Sequence, residues 1–194
     1  MKNIAVLASG GGSNLQALID AVNDGYISDA RISCVISNNK KAYALERARI
    51  NKIKALFLDP KNKTGKEYTQ DVIDALKEFE IDLVCLAGFM IILSPEIVKE
   101  FDKRILNIHP ALLPKYGGKG MYGHHVHEAV ISAGEKESGA TVHFVDDGCD
   151  TGTIIIQEKL DVLENDTPET LAKRVLEIEH KIYPEAVKKV LKNI

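Results

Sequence analysis

The chain has 194 residues, 45% of them hydrophobic and 27% charged, which is the composition of an ordinary globular protein long enough for one domain and a sizeable core. A formal net charge of -3 argues against a nucleic-acid partner, which draws on a basic excess, and no apolar run approaches the length of a membrane span. Cys34, Cys85 and Cys149 are odd in number and widely separated, so they offer neither a CxxC pair nor a disulfide framework and point to a reducing, cytoplasmic setting.

Met1-Lys2-Asn3 leads straight into a strand rather than a signal peptide. Ile4 to Ala8 is a short apolar run suited to a parallel strand covered on both faces. Ser9-Gly10-Gly11-Gly12-Ser13-Asn14 follows, and apolar residues at Leu15, Leu18, Ile19 and Val22 mark an amphipathic helix. Strand, glycine loop and helix start together make an anion cradle, because backbone N–H groups and the helix dipole converge there. The loop lacks the Gly-Lys-Ser/Thr of a nucleoside-triphosphate site. Leu15 replaces the third glycine of a dinucleotide motif, and the second strand, Arg31 to Ile36, ends in Ser37-Asn38-Asn39 instead of a ribose-binding acid. A phosphomonoester fits better; a purely structural glycine turn is the alternative.

The alternation continues with a helix over Ala42 to Ile50, a strand over Ala55 to Leu58, a helix over Lys66 to Phe79 and a buried strand over Ile81 to Ala87. Gly88 ends that strand. Phe89 to Leu93 either lines a pocket for a flat ring or belongs to the core, and composition favours core. Ser94-Pro95 starts the next helix, with proline at the first helical position.

Residues 105–114, Ile-Leu-Asn-Ile-His-Pro-Ala-Leu-Leu-Pro, form the segment around which the rest is organised. The period of two places Asn107 and His109 on one side of the strand, before Pro110 ends ladder pairing. An amide donor beside a titratable imidazole at a strand's carboxyl end is a plausible catalytic pair; a satisfied polar pair is the plainer reading. A glycine-rich loop, Lys115 to Gly123, leads to His124, His125 and His127 on a helix running to about Ala133. Spacings of i, i+1 and i+3 do not converge on one ion as i and i+4 do, so a partly exposed helix start is favoured over a metal site. Gly139 to Val145 alternates as a strand, with Thr141, His143 and Val145 on one side. The loop Asp146-Asp147-Gly148-Cys149-Asp150-Thr151-Gly152 lacks the EF-hand pattern, and the alternative is that one carboxylate reaches His109. Ile154 to Gln157 begins a return strand, and Thr167-Pro168 starts a last long helix whose core face is Leu171, Val175, Ile178 and Ile182.

These stretches resemble the phosphoribosylglycinamide formyltransferases, the folate-dependent transferases of purine biosynthesis, over nearly the whole chain. The matching segments are Ser9 to Asn14, Leu86 to Met90, Leu106 to Pro110, Leu112 to Pro114, Thr141 to Val145 and Glu179 to Pro184. Asn-x-His-Pro with a downstream Asp loop marks the folate formyltransferases as a group; the Gly12-Ser13-Asn14 cradle and Glu179-His180 point to the glycinamide ribonucleotide branch.

The resemblance implies an α/β fold, a mostly parallel twisted sheet with helices on both faces, in a single domain spanning 1–194. Residues 1–100 would form a mononucleotide- and phosphate-binding half and residues 101–194 a folate-binding and catalytic half. The C-terminal domain of methionyl-tRNA formyltransferases is not expected. Gly12, Ser13 and Asn14 are expected to hold the substrate phosphate and Glu179 the ribose hydroxyls. The pteridine of 10-formyltetrahydrofolate, the co-substrate, is expected against Met90, Ile91, Ile92, Leu93, Asn107 and the loop Asp146, Asp147, Gly148, Cys149 and Asp150, with Lys66 as the family's basic residue near the folate. Asn107, His109 and Asp150 form the implied catalytic set, with no metal. Partners are small molecules, without nucleic acid or membrane, and the chain is expected as a monomer or homodimer. Two departures stand out: Ile91 replaces an arginine found in many members, and the Gly117 to His127 loop is a few residues longer and rich in glycine and histidine.

The residue types suit direct formyl transfer. Asn107 can donate to the developing oxyanion and His109 can supply a proton, with Asp150 tuning the imidazole and holding it substantially protonated at neutral pH. No serine or cysteine nucleophile is required, and Cys149 reads as a loop residue. A non-catalytic nucleotide sensor on the same fold has no use for these three groups. A formyltetrahydrofolate hydrolase is the other alternative; such enzymes carry an extra N-terminal domain, for which a first strand at Ile4 leaves no expected room.

Overall fold

The computed structural model describes residues 1–194. Strands β1 (Lys2–Leu7), β2 (Ala30–Ser37), β3 (Lys54–Phe57), β4 (Leu83–Leu86), β5 (Ile105–His109), β6 (Glu137–Phe144) and β7 (Ile154–Asp161) form one seven-stranded sheet in the order β3-β2-β1-β4-β5-β6-β7. The first five strands pair in parallel; β6 and β7 are antiparallel additions. Helices α1 (Ser13–Asn23), α2 (Tyr43–Ile50), α3 (Gly65–Glu78), α4 (Pro95–Glu100), α5 (His124–Ser132) and α6 (Pro168–Leu191) connect or cover them. Each expected element is present. β4 is shorter than its apolar run because pairing extends only from Ile4↔Leu83 to Leu7↔Leu86.

The period of two divides the core in the way that unbroken apolar strands require. In β1, Ile4 and Val6 join the cluster under α1, α2, α5 and α6, while Ala5 and Leu7 join the cluster under α3 and α4. Leu83 and Cys85 of β4 face the first cluster, Val84 and Leu86 the second. Helix ends follow from local chemistry. Thr64 and Glu67 close a reciprocal capping box on α3, and Thr167 and Thr170 do the same on α6, with Pro168 in its first turn.

Chain direction across the sheet reverses between β1 and β4, because β2 and β3 lie on one side of β1 and β4 and β5 on the other. The loops leaving the carboxyl ends of β1 and β4 therefore open a crevice between them, where ligands bind in open α/β sheets. The glycine loop leaves β1 and the Gly88 loop leaves β4 at this seam.

Candidate active site

The antiparallel register of β5 and β6 places Asn107 opposite His143 and His109 opposite Thr141. Both histidines are buried, at 4% and 2% exposure. Asp150 arrives from the β6–β7 loop in a left-handed conformation, φ 58°, an unusual backbone for a residue other than glycine and a recurrent feature of functional sites. Gly148 and Gly152 make that loop possible: a Cβ on Gly152 would lie 1.8 Å from the Phe144 carbonyl oxygen, and one on Gly148 1.9 Å from Thr151 Oγ1.

The hydrogen bonds fix the tautomers. His143 Nδ1 lies 2.8 Å from the Phe144 carbonyl oxygen, which only accepts, so Nδ1 carries the hydrogen and Nε2 can accept. Asn107 Nδ2 donates to that Nε2 at 3.2 Å and to Asp150 Oδ1 at 3.3 Å, so both amide hydrogens are engaged. His109 Nε2 donates to the Tyr116 carbonyl at 2.7 Å, which turns Nδ1 toward Asp150 Oδ2, 3.6 Å away. That separation is an electrostatic contact rather than a hydrogen bond. Asp150 Oδ2 also accepts from the Gly118 amide at 3.0 Å, and Oδ1 lies 3.5 Å from His143 Nε2.

Burial pushes His109 below the ordinary histidine range; Asp150 and the Tyr116 carbonyl pull the other way without overcoming it, and His143 adds to the depression. The expectation that Asp150 keeps His109 substantially protonated at neutral pH is thus corrected, because desolvation outweighs the carboxylate. Burial works against the charge on Asp150 as well, yet the proximity of the His143 and His109 imidazoles and the Gly118 amide together hold its carboxyl below the usual carboxylate value. Burial and the adjacent Asp150 raise the Cys149 thiol, moving it away from a nucleophilic thiolate.

A cavity of about 590 Å³ opens over these groups. Asn107, His109, His143, Gly148, Cys149 and Asp150 line one part, Gly88 to Leu93 a second and Gly118 to Gly123 a third. The expectation of core for Phe89 to Leu93 holds in part: Leu93 joins the second core cluster with Phe89 and Ile91 packed against it, while Met90 and Ile92 are 51% and 67% exposed, because the chain after Gly88 leaves the sheet and forms the cavity wall. Leu93 alone among the five is buried. Asp146 and Asp147 are exposed and do not line the cavity. Asp146 Oδ1 instead braces its own loop by accepting from Thr151 Oγ1 at 2.7 Å and the Gly148 amide at 3.1 Å. Lys66 lies outside the main cavity in a neighbouring depression with Ser94 and Glu96, which shares the Ile91–Leu93 wall.

The glycine loop forms the other half of the crevice. Asn39 Nδ2, the Ala44 amide and Arg47 Nε donate to the carbonyls of Ser9, Gly10 and Gly11 at 3.1, 3.1 and 2.8 Å. Each planar trans peptide directs its N–H opposite to its C=O, so the amides of Gly10, Gly11 and Gly12 point the other way. Gly12 has φ 72° at the N-cap of α1, and a Cβ there would meet that of Ala44 at 2.8 Å. The side chain of Asn14 is tied to the last helix. Its Nδ2 donates to Glu179 Oε2 at 2.6 Å, and its buried Oδ1 has no partner. Burial raises the Glu179 carboxyl to about 7, against the lowering effect of Asn14.

His143 was visible in the sequence only as a polar residue within an apolar strand, without a role, since its place opposite Asn107 depends on long-range register. The Tyr116 carbonyl and the Gly118 amide, being backbone groups, carry no side-chain signature. The three clustered histidines separate: His127 is buried, while His124 and His125 are exposed beside Glu128, with Glu169 also near His124.

A family model described as formyl transferase matches residues 2–187. The chain is 43% identical over 188 residues to the chloroplastic phosphoribosylglycinamide formyltransferase of Arabidopsis thaliana, covering 96% of this chain and 64% of the plant protein, which is less than two thirds of that relative's length. It is 44% identical over 189 residues to the phosphoribosylglycinamide formyltransferase of Haemophilus influenzae, covering 97% and 86% of the two chains. The crystal structure of glycinamide ribonucleotide transformylase 1 from Symbiobacterium toebii superposes with a TM-score of 0.91 at 42% identity, covering 97% of this chain and 86% of that one. With the match running through both the glycine loop and the Asn107–His109 strand, the chain belongs to the formyl transferase family.

Proposed function

We propose that this protein transfers the formyl group of 10-formyltetrahydrofolate to the amine of glycinamide ribonucleotide, a step of purine biosynthesis. The observation that carries the reading is the convergence of Asn107, His109 and Asp150 on a cavity whose far side adjoins an outward-facing amide cradle. The residues present fit a folate. Phe89 to Leu93 offer apolar surface for a flat ring, Asn107 and Asp150 offer polar groups at the reacting end, and Lys66 lies beyond the Ile91–Leu93 wall for an acidic tail. The amides of Gly10 to Gly12 and the start of α1 fit a phosphate, and Glu179, held by Asn14, fits ribose hydroxyls. Every group in this reading comes from one chain.

In this mechanism the substrate amine attacks the formyl carbon, and its C–N bond forms as the carbonyl oxygen becomes an oxyanion. Asn107 turns one hydrogen from its long bonds with His143 and Asp150 to that oxygen. A donor of this kind contributes roughly two to three orders of magnitude in turnover. His109, with Asp150 facing Nδ1, moves the proton released by the amine to the departing folate nitrogen, directly or through water. The carbon–N10 bond then breaks, the carbonyl re-forms, and the products are a formamide and tetrahydrofolate. Desolvation disfavours the charged form of His109, so the negative charge of the intermediate is what draws a proton to Nδ1.

Formyl-folate consumption measured with and without glycinamide ribonucleotide tests the reading. Consumption that requires the ribonucleotide and matches its formylation is expected; equal consumption in its absence marks a hydrolase, and binding of the ribonucleotide without consumption marks a sensor.

A further inference from the structure

Ser9 lies where the two substrate sites meet, and none of the roles above uses it. It is buried, and all four of its polar functions are engaged. Its amide donates to the Gly88 carbonyl at 3.0 Å and its carbonyl accepts from Asn39 Nδ2 at 3.1 Å. Its hydroxyl donates to Asn38 Oδ1 at 2.6 Å and accepts from the Met90 amide at 2.8 Å. The first peptide of the amide cradle and the first turn of the cavity wall are therefore pinned to one side chain.

We propose that Ser9 is a positioning residue that couples the two substrates, so that filling the phosphate cradle orders the folate wall and the reverse. The inference rests on the functional reading above. An anion held by the Gly10 to Gly12 amides immobilises the peptide that begins at the Ser9 carbonyl. Ser9 transmits that restraint to Met90 through its hydroxyl and to Gly88 through its amide. Met90 is half exposed between Phe89 and Ile91, which pack against the core, and its own amide is held by the Ser9 hydroxyl. Ordering it once for both ligands produces positive cooperativity without a change of fold.

The test is a binding cycle by calorimetry with glycinamide ribonucleotide and 5,8-dideazafolate, a folate analogue without a formyl group. In the wild type, each ligand should tighten the other about fivefold or more, by the same factor in both directions. In Ser9→Ala that factor should fall to about one. Met90 amide exchange should slow on adding the ribonucleotide to wild type and remain unchanged in the variant. Asn38→Ala, which removes the acceptor but leaves the hydroxyl, should give an intermediate factor and carries the test if Ser9→Ala does not fold. Separate affinities weakened with the coupling factor intact, or no coupling in the wild type, overturn the inference alone. Failure of either ligand to bind the wild type overturns the functional reading and this inference with it.

Discussion

At the scale of single residues, the site is a contest between burial and charge. His109 has one nitrogen committed to the Tyr116 carbonyl and the other aimed at Asp150. Asp150→Asn removes the strongest force that raises the His109 pKa, so that value should fall further, and turnover at neutral pH should drop steeply and recover in part on acidification. NMR titration of His109 in both proteins decides it; an unchanged titration removes the tuning role from Asp150. Substituting His109→Ala should lower turnover by about two orders of magnitude or more with ribonucleotide affinity retained. Near-normal turnover in a folded variant would take the imidazole out of the mechanism. Asn107 and His109 could be singled out in the sequence because their types suit the chemistry and they share a strand face, whereas residue type left Asp146, Asp147 and Asp150 equal and only the family resemblance selected Asp150. The commitment of both Asn107 hydrogens could not be singled out, since it depends on the tautomer that Phe144 imposes on His143.

At the scale of elements, the order of strands and helices was legible because apolar runs of strand length alternate with helical periodicity and capping residues. Sheet register was not, and register is what brings His143 to Asn107. The exposure of Met90 and Ile92 was hidden for a related reason: an apolar run reads as core until the fold shows that its chain has left the sheet. The glycine loop carries a separate expectation. Gly12→Ala places a Cβ against Ala44 in a left-handed backbone, so α1 and α2 must separate where the cradle forms. Ribonucleotide affinity should fall at least tenfold, roughly 1.4 kcal/mol, while folate affinity measured alone is preserved. Loss of folate with retention of ribonucleotide would mean that the two sites are exchanged. Helix α6 is tied to the sheet by Tyr183, whose buried hydroxyl shares its one hydrogen between the carbonyls of Leu86 at 2.8 Å and Leu106 at 3.3 Å. Tyr183→Phe should cost about 1–2 kcal/mol in urea unfolding, from the loss of these bonds in an apolar setting.

At the scale of the whole molecule, two buried groups give opposing pH dependences. Glu179 is raised to about 7 by burial, so across roughly pH 4.5 to 7 the native protein holds a proton that the unfolded chain has released, and stability falls as pH rises through that window. His127 is lowered to about 4 by burial and by His124 and His109, so between about pH 4 and 6.5 the unfolded chain holds the extra proton and stability rises with pH. The two slopes oppose each other where the windows overlap. Glu179→Gln should leave a melting temperature that climbs from pH 4.5 to 6.5 more steeply than in wild type and a protein more stable than wild type at pH 8, at the expense of ribonucleotide affinity. Parallel pH profiles for the two proteins would show that Glu179 is ionised throughout. The Asn14–Glu179 bond joins residues 165 positions apart, the one at the start of α1 and the other on the last helix. The glycine loop and the carboxyl that Asn14 holds are brought together only by the folded chain. A chain halted before α6 has the glycines and helix α1 but not Glu179. On the proposed reading, the ribonucleotide binds the folded molecule rather than a folding intermediate and stabilises the contact between α1 and α6.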